Sequence, residues 1–150
     1  MRLLEYSILI FTGNFERYVD VYDKGGVTVN LICVDNDVTT LRRVKKICKE
    51  ISRMDEPIFF SKVSEAVEWM ESGHSVNIAL LEIDGNKTGL LLAQHIRMKY
   101  PETVIILLSY HRKFAIDALR IHASGFLLKP VTSEKLHKEI RYAMQLYHES

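Results

Sequence analysis

The sequence has few cysteines, and this scarcity excludes a disulfide framework. Only Cys33 and Cys48 are present; Cys33 lies in an apolar run and Cys48 lies on the apolar stripe of a predicted helix. Both thiols are therefore expected to behave as small buried hydrophobic groups. Such cysteines are typical of a reducing cytoplasm, which is the compartment we expect.

Long apolar runs and leader sequences are missing too. No run approaches the ~20 apolar residues that a membrane span requires. The chain start offers Arg2 and a short apolar run at 8–11, but Glu5 interrupts this region and no Ala-x-Ala cleavage site follows. We therefore expect neither a membrane helix nor a secretory signal.

The chain also lacks an excess of either charge, because its 20 Lys and Arg residues nearly cancel its 19 Asp and Glu residues. No overall field attracts nucleic acid or an anionic membrane, and we expect neither as a partner. Enzyme motifs are scarce as well. The histidines show no HExxH spacing, no glycine-rich phosphate loop is present, and Ser109 has no identifiable base. We expect no enzyme.

What the sequence does contain, from Asn30 onward, is a repeated alternation between short apolar runs and amphipathic stretches. This alternation is typical of βα units with a mainly parallel sheet. A chain of 150 residues supplies one core of ordinary size. We predict an α/β fold whose five-stranded parallel sheet has helices on both faces, with strands at 31–34, 58–60, 78–81, 104–108 and 126–128.

The predicted helices have recognisable ends. The first carries a basic face that we interpret as solvated: Arg42, Arg43, Lys45, Lys46 and Lys49. Ser61 and Ser64 are expected to cap the second helix, and Gly73 to end it. The remaining helices are predicted from 88 or 89 to 100, over 113–123, and from about 133 towards 147.

Residues 1–28 do not follow the alternation, because 16–23 mix charge and tyrosine without a clear period. We divide the chain into an N-terminal extension, 1–28, and a domain, 29–150. The extension either packs on the sheet edge or is untranslated leader before a natural start at Val29. Lys-Gly-Gly-Val-Thr-Val can be encoded by a purine-rich ribosome-binding sequence followed by a GTG start.

Four predicted strands are each followed directly by a polar residue: Asp35, Glu82, Ser109 and Lys129. Because ligands of open parallel sheets bind beyond the carboxyl ends of the strands, these side chains are expected to form one cluster. Two acids, a hydroxyl and an ammonium suit a phosphoryl group and a divalent cation. The alternative is that strand ends are often polar without any function.

Three segments carry a family resemblance: His-Ala-Ser-Gly-Phe-Leu-Leu-Lys-Pro-Val-Thr at 122–132, Ile-Ile-Leu-Leu-Ser at 105–109, and Val-Asp-Asn-Asp at 34–37. They resemble the receiver (CheY-like) domain of two-component response regulators. The segment 122–132 follows the style of regulators with LytTR-like or related outputs. The resemblance implies a flavodoxin-like strand order, 2-1-3-4-5, and a part in phosphorelay signal transduction.

The resemblance also assigns roles. Lys129 would contact the phosphoryl group, and the peptide before Pro130 would be cis. Ser109 would hydrogen-bond a phosphoryl oxygen, and Phe126 would move with it. The implied partners are a sensor histidine kinase or other signalling protein, and an output protein or domain bound at about 113–147. A homodimer is a further option, and with no output domain after Ser150 we expect action in trans or a lost output partner.

Departures from the family pattern lie in the same pocket. The acidic pair is Asp35-Asn36 here unless Asp37 substitutes, so an Mg²⁺ site of Asp35, Asp37 and Glu82 is expected to be weak. Glu82 occupies the phosphoacceptor position, with Asp84 as the fallback. The loop from Glu82 to Gly89 is one residue shorter than usual and lacks its proline.

The extra methylene of glutamate moves the carboxylate outward and spoils in-line attack on a phosphodonor. The functional interpretation is a response-regulator receiver with weakened or absent phosphorylation. The alternative is a phosphorylation-independent pseudo-receiver that acts as a protein interaction module. Two further readings of Glu82 stay open: a permanent bias towards the active conformation, or a Glu82–Lys129 ion pair that only satisfies buried charges.

Overall fold

The structure is a computed structural model that describes residues 6–12, 15–21 and 28–149. Near its start, β1 (Tyr6–Thr12) pairs antiparallel with β2 (Phe15–Val21). These two strands form a sheet of their own and do not pair with the larger sheet. The sequence predicts no secondary structure for this segment, because a mixed run of charged and aromatic residues shows no clear strand period. The division of the chain at residues 28 and 29 stays a prediction.

The main sheet has five parallel strands, as predicted. Their order is β4-β3-β5-β6-β7, which is the flavodoxin-like order 2-1-3-4-5 within this sheet. The strands are β3 (Leu31–Val34), β4 (Ile58–Phe60), β5 (Ile78–Glu82), β6 (Val104–Ser109) and β7 (Gly125–Leu128).

Helices cover both faces of this sheet. They are α1 (Val38–Glu50), α2 (Val63–Glu71), α3 (Thr88–Lys99), α4 (Ala115–Arg120) and α5 (Ser133–Glu149). The helices α1 and α5 pack on one face, and α2, α3 and α4 pack on the other. Within the described part of the chain, no helix has both the length and the apolar character needed to cross a membrane.

The core forms because consecutive strand residues point to opposite faces of the sheet. In β3, Ile32 and Val34 pack against the α2, α3 and α4 side, whereas Leu31 and Cys33 pack against α1 and α5. A strand buried on both faces needs apolar side chains throughout, so the runs of β3, β5 and β6 are continuous. Each fully buried Leu or Ile contributes about 1.5–3 kcal/mol.

Two helix predictions were wrong in detail. The helix expected over 113–123 is a 3₁₀ turn, Arg112–Phe114, followed by α4, Ala115–Arg120. The expected caps of α2 do not form, because its N-cap residue is Lys62, which makes no capping hydrogen bond through its side chain. Gly73 does follow the end of α2, with a φ of +104° that suits glycine.

Candidate functional site

The carboxyl ends of the sheet strands bring the predicted polar residues to one edge. Asp35 follows β3 and Lys129 follows β7, while Glu82 and Ser109 are the last residues of β5 and β6. The pairing keeps these ends level, since Glu82 lies opposite Leu108 in β6. Three of the four residues predicted to cluster, Asp35, Glu82 and Lys129, lie in contact with one another, whereas the Ser109 hydroxyl bonds to the backbone.

The Lys129 ammonium is the centre of this cluster. Its Nζ lies 2.7 Å from Asp35 Oδ2, 3.2 Å from Glu82 Oε1 and 3.8 Å from Asp37 Oδ2. The side chains of Lys129 and Asp35 are 1% and 0% exposed, so their charges are withdrawn from water. Burial alone would lower the pKa of Lys129, but the carboxylates of Asp35 and Glu82 outweigh it and raise that pKa. Lys129 is therefore a permanently charged, internally paired group.

Glu82 has the most perturbed carboxyl group of the cluster. Burial and the neighbouring Asp35 raise the pKa of Glu82 to about 7, against the opposing effect of Lys129. The Glu82 side chain is 17% exposed, so it is the part of the Lys129–Glu82 pair that reaches solvent. At neutral pH Glu82 is therefore divided between its neutral and charged forms.

The first acidic loop is held by its own hydrogen bonds. Asp35 Oδ1 accepts a hydrogen bond from the Asp37 backbone N–H at 2.9 Å. Asp37 caps α1, since its carboxylate accepts from the Thr39 backbone N–H and the Thr40 hydroxyl, each at 3.0 Å. Partial burial would raise the pKa of Asp37, but these hydrogen bonds and Lys129 lower it. This capping role of Asp37 was not predicted, although an aspartate directly before Val-Thr-Thr could have indicated it.

Ser109 is directed at the backbone. Its buried hydroxyl donates to the Ile83 carbonyl at 2.6 Å and accepts from the His111 backbone N–H at 3.0 Å. The proton of the hydroxyl is thus donated to the residue after Glu82, and one of its lone pairs accepts from the turn after β6. Sequence alone cannot show this arrangement, because the acceptor is a main-chain carbonyl.

The residues on β7 and just after it agree in part with what the family resemblance implies. The Lys129–Pro130 peptide is cis, as the resemblance implied. Phe126 is half-buried and packs against the core on the α2, α3 and α4 side. The Lys129 ammonium also lies 5.3 Å from the centre of the Tyr110 ring, a cation–π contact that the sequence analysis did not predict.

The loop after β5 is tight. A Cβ at Gly89 would lie 1.9 Å from the Glu82 carbonyl oxygen, so only glycine fits where α3 begins. Asp84 is exposed, and its carboxylate accepts from the Asn86 backbone N–H at 3.2 Å. Within the described residues Asp84 has no ion pair with Lys129. Asp84, the alternative phosphoacceptor, therefore lies at the solvent-exposed rim of the charge cluster.

A cleft of about 550 Å³ opens beside the Lys129 cluster. Three loops line it: those after β3, β4 and β5. The lining residues are Val34, Asp35, Asn36, Ser61, Lys62, Val63, Ser64, Glu82, Asp84, Asn86 and Thr88. The exposed Asn36 is at this cleft and not in the charge cluster. The cleft gives solvent a route to Glu82.

The carboxylates do not form a ready metal site. They are arranged around the Lys129 ammonium, and within the described part of the chain no group of three or more His, Cys, Asp or Glu side chains could hold a metal ion. A divalent cation would have to compete with Lys129 for Asp35. The weak Mg²⁺ site predicted from Asp35, Asp37 and Glu82 stays a prediction.

Comparison with known proteins supports the resemblance seen in the sequence. The response regulator receiver domain family matches residues 31–141. A response regulator from Thermotoga maritima is 19% identical, and the match covers 79% of this chain and 99% of that one with a TM-score of 0.69. No curated protein sequence matches the chain.

Two further solved structures share the fold. The response regulatory domain of mrkE from Klebsiella pneumoniae is 17% identical, with 81% and 100% of the two chains covered and a TM-score of 0.70. A CheY-like receiver domain protein from Methanospirillum hungatei is 20% identical, with 82% and 99% covered and a TM-score of 0.70. At these identities the likeness shows the fold, and the family match shows membership. The chain belongs to the response regulator receiver domain family.

Proposed function

We propose that this receiver domain serves two-component phosphorelay signalling with weakened or absent phosphorylation, and that Glu82 occupies its phosphoacceptor position. The observation that carries the proposal is the pairing of the Lys129 ammonium with Asp35 at 2.7 Å and with Glu82 at 3.2 Å. The lysine that would meet a phosphoryl group is already neutralised by carboxylates of the same pocket.

The geometry of Glu82 supports poor acceptance. Its carboxylate stands one methylene further from the backbone than that of an aspartate, which displaces the nucleophile from in-line attack. The raised pKa adds to this effect, because a protonated carboxyl group is a poor nucleophile. Mg²⁺ bound by Asp35, Asp37 and Glu82 would be held weakly, because Asn36 contributes no charge and Lys129 competes.

The second candidate function is a phosphorylation-independent pseudo-receiver that acts as an interaction module. The Ser109 hydroxyl favours it, since its single proton is already donated to a backbone carbonyl. A pocket in which Lys129 is ion-paired and the Ser109 proton is donated internally requires no phosphoryl group to complete it. A permanent bias towards the active conformation is the third reading, in which the Glu82 charge substitutes for the phosphoryl group.

Incubation with acetyl phosphate and Mg²⁺, followed by intact-mass measurement, tests these functions. We expect little or no gain of a phosphoryl group by the native chain, and a clear gain by Glu82→Asp. A gain by the native chain that Glu82→Gln abolishes would contradict the pseudo-receiver. A gain lost only in Asp84→Asn would move the acceptor to Asp84. If Glu82→Asp gains nothing, Asn36 and the short loop also block the reaction.

We propose that signalling partners dock on the surface formed by α4, β7 and α5. Several large apolar side chains are exposed there or beside it: Tyr110, Ile116, Leu119, Leu128 and Tyr142. Apolar groups left in water on neighbouring elements mark contact surfaces. The partner would be a sensor histidine kinase or other signalling protein, or an output protein of the LytTR-like kind, in the cytoplasm. We expect Leu119→Glu to weaken the binding of such a partner. The control Glu71→Lys should leave this binding unchanged.

A further inference from the structure

The outer edge of the main sheet at β4 has an apolar strip. Among the residues that the structure describes, the strand Ile58–Phe60 pairs with β3 alone, and all three of its residues are half-buried. Trp69 from α2 packs against Phe60 with their ring centres 5.8 Å apart and is half-buried as well. We call Ile58, Phe59, Phe60 and Trp69 the β4 strip. Edge strands carry backbone groups that remain open to another chain.

A row of cations borders the β4 strip on one face of the sheet. It consists of four exposed residues of α1, at the spacing of one helix face: Arg42, Lys45, Lys46 and Lys49. Lys45 lies 3.8 Å from Glu56, just before β4, whereas Arg43 on the other flank of α1 donates to the Val131 carbonyl beside α5. This row, the basic stripe, therefore lies on the outer face of α1, with Lys45 on the side towards β4.

A row of anions borders the same strip on the opposite face. Glu65 and Glu68 are exposed on α2, three residues apart. The contact between Trp69 and Phe60 fixes which flank of α2 adjoins β4, and Glu65 lies on that flank four residues before Trp69. We call these two residues the acidic stripe. The β4 edge is thus apolar at its centre, basic on one side and acidic on the other.

We propose that a second copy of this chain docks on the β4 edge, with the basic stripe of each copy facing the acidic stripe of the other. A two-fold axis along the strand direction exchanges the two faces of the sheet, so it places α1 of one copy beside α2 of its partner. Both contacts then form at once, as an isologous interface requires. The β4 strip supplies the apolar centre and the stripes supply the polar rim.

A second copy fits this edge better than a nucleic acid does. A polyanion attracted by the basic stripe would meet the acidic stripe across the width of the same edge. The chain as a whole has a formal net charge of only +1, so two copies repel each other little over long range. The interface also lies apart from the α4, β7 and α5 surface, which leaves that surface open to signalling partners.

Sedimentation equilibrium of matched variants tests the proposal. We expect a monomer–dimer equilibrium that weakens as salt rises, because exposed charges are screened. Lys45→Glu with Lys49→Glu should weaken dimerisation at least about tenfold, and Glu65→Lys with Glu68→Lys should do the same. An equimolar mixture of the two variants should dimerise again, because both contacts are then restored between unlike copies.

The control is Lys135→Glu with Lys138→Glu on α5, which reverses the same number of exposed lysines on the same face of the sheet. It should dimerise like the native chain. Trp69 fluorescence and circular dichroism establish that each variant is folded, and Lys45→Gln with Lys49→Gln gives a milder test.

The proposal would be overturned by a monomer at every concentration, a dimer insensitive to both reversals, no recovery on mixing, or a dimer lost in Leu119→Glu instead. A monomer whose basic stripe binds a DNA duplex would assign the stripe to a polyanion and would overturn it too.

Discussion

The pKa of Glu82 predicts how the stability of the fold depends on pH. Asp35 holds the shorter contact with the Lys129 ammonium, 2.7 Å against 3.2 Å for Glu82, and is the more deeply buried acid. Ionised Glu82 is therefore incompletely compensated. The change Glu82→Gln replaces it with a neutral amide of almost the same shape, which mimics the protonated side chain and removes the cost of ionisation.

The magnitude follows from the folded and unfolded pKa values. The pKa of Glu82 is about 7 in the fold and 4.5 ordinarily. Because the folded state holds the proton more tightly, its stability is full below about pH 4.5 and is lost as the pH rises through about 7. At about 1.4 kcal/mol per pH unit this loss is about 3 kcal/mol, and Glu82→Gln should not suffer it.

Urea denaturation followed by Trp69 fluorescence measures this effect. The native chain and Glu82→Gln should have similar free energies of unfolding near about pH 4.5, and the variant should be more stable by about 2–3 kcal/mol near about pH 8. The control is Glu71→Gln, which removes an exposed glutamate at the end of α2. It should follow the native chain at both pH values.

The reasoning about Glu82 would be refuted by a particular pattern of unfolding data. If the native chain and Glu82→Gln lost the same stability between acid and alkaline pH, ionised Glu82 would be fully compensated by Lys129. If the variant were less stable near about pH 8, the Lys129–Glu82 ion pair would contribute net stability.

Three further substitutions, one of them with a matched control, test the packing around the site. Lys129→Met leaves the buried carboxylate of Asp35 without its cation and should lower the free energy of unfolding by about 3–5 kcal/mol in urea; a loss under about 1 kcal/mol would show that Asp35 is satisfied elsewhere. Gly89→Ala forces a Cβ against the carbonyl at the end of β5 and should cost about 1–3 kcal/mol. Gly85→Ala, with open space around its Cβ position, should change stability by less than about 0.5 kcal/mol, and equal costs would contradict the contact. Asp37→Ala removes the α1 cap and should cost about 1 kcal/mol with a loss of helical circular dichroism, whereas no change would mean that the cap is dispensable.

The sheet could be predicted because its strands are buried on both faces. The runs at β3, β5 and β6 contain no polar residue until the strand ends. A short apolar run of this kind fits few structures other than a strand buried on both faces of a sheet. The hairpin of β1 and β2 lacks that simplicity, since charged and aromatic residues are mixed along it. The division of the segment 112–120 into a 3₁₀ turn and the short α4 could not be predicted from sequence, because a 3₁₀ turn and an α-helix have similar periods.

The site was predictable in its members but not in its pairing. The positions of Asp35, Glu82 and Lys129 at strand ends predicted that they lie together. The Glu82–Lys129 ion pair was one of the alternatives predicted from sequence. The tighter pair, Lys129 with Asp35, depends on the depth of each carboxylate, which sequence does not reveal. The Ser109 hydroxyl bonds to a backbone carbonyl, and such acceptors carry no residue-specific signal.

The charge balance of the pocket explains why Glu82 takes up a proton. Three carboxylates face one ammonium, so full ionisation would leave two uncompensated negative charges. Asp35 has the contact at 2.7 Å, and Asp37 is stabilised by the hydrogen bonds of the α1 cap. Glu82 has neither advantage, so burial and the neighbouring Asp35 raise its pKa. Glu82 is then divided between its neutral and charged forms near pH 7. An aspartate introduced at this position would face the same excess of negative charge. Glu82→Asp should therefore gain phosphorylation more readily when the pH is raised above neutrality.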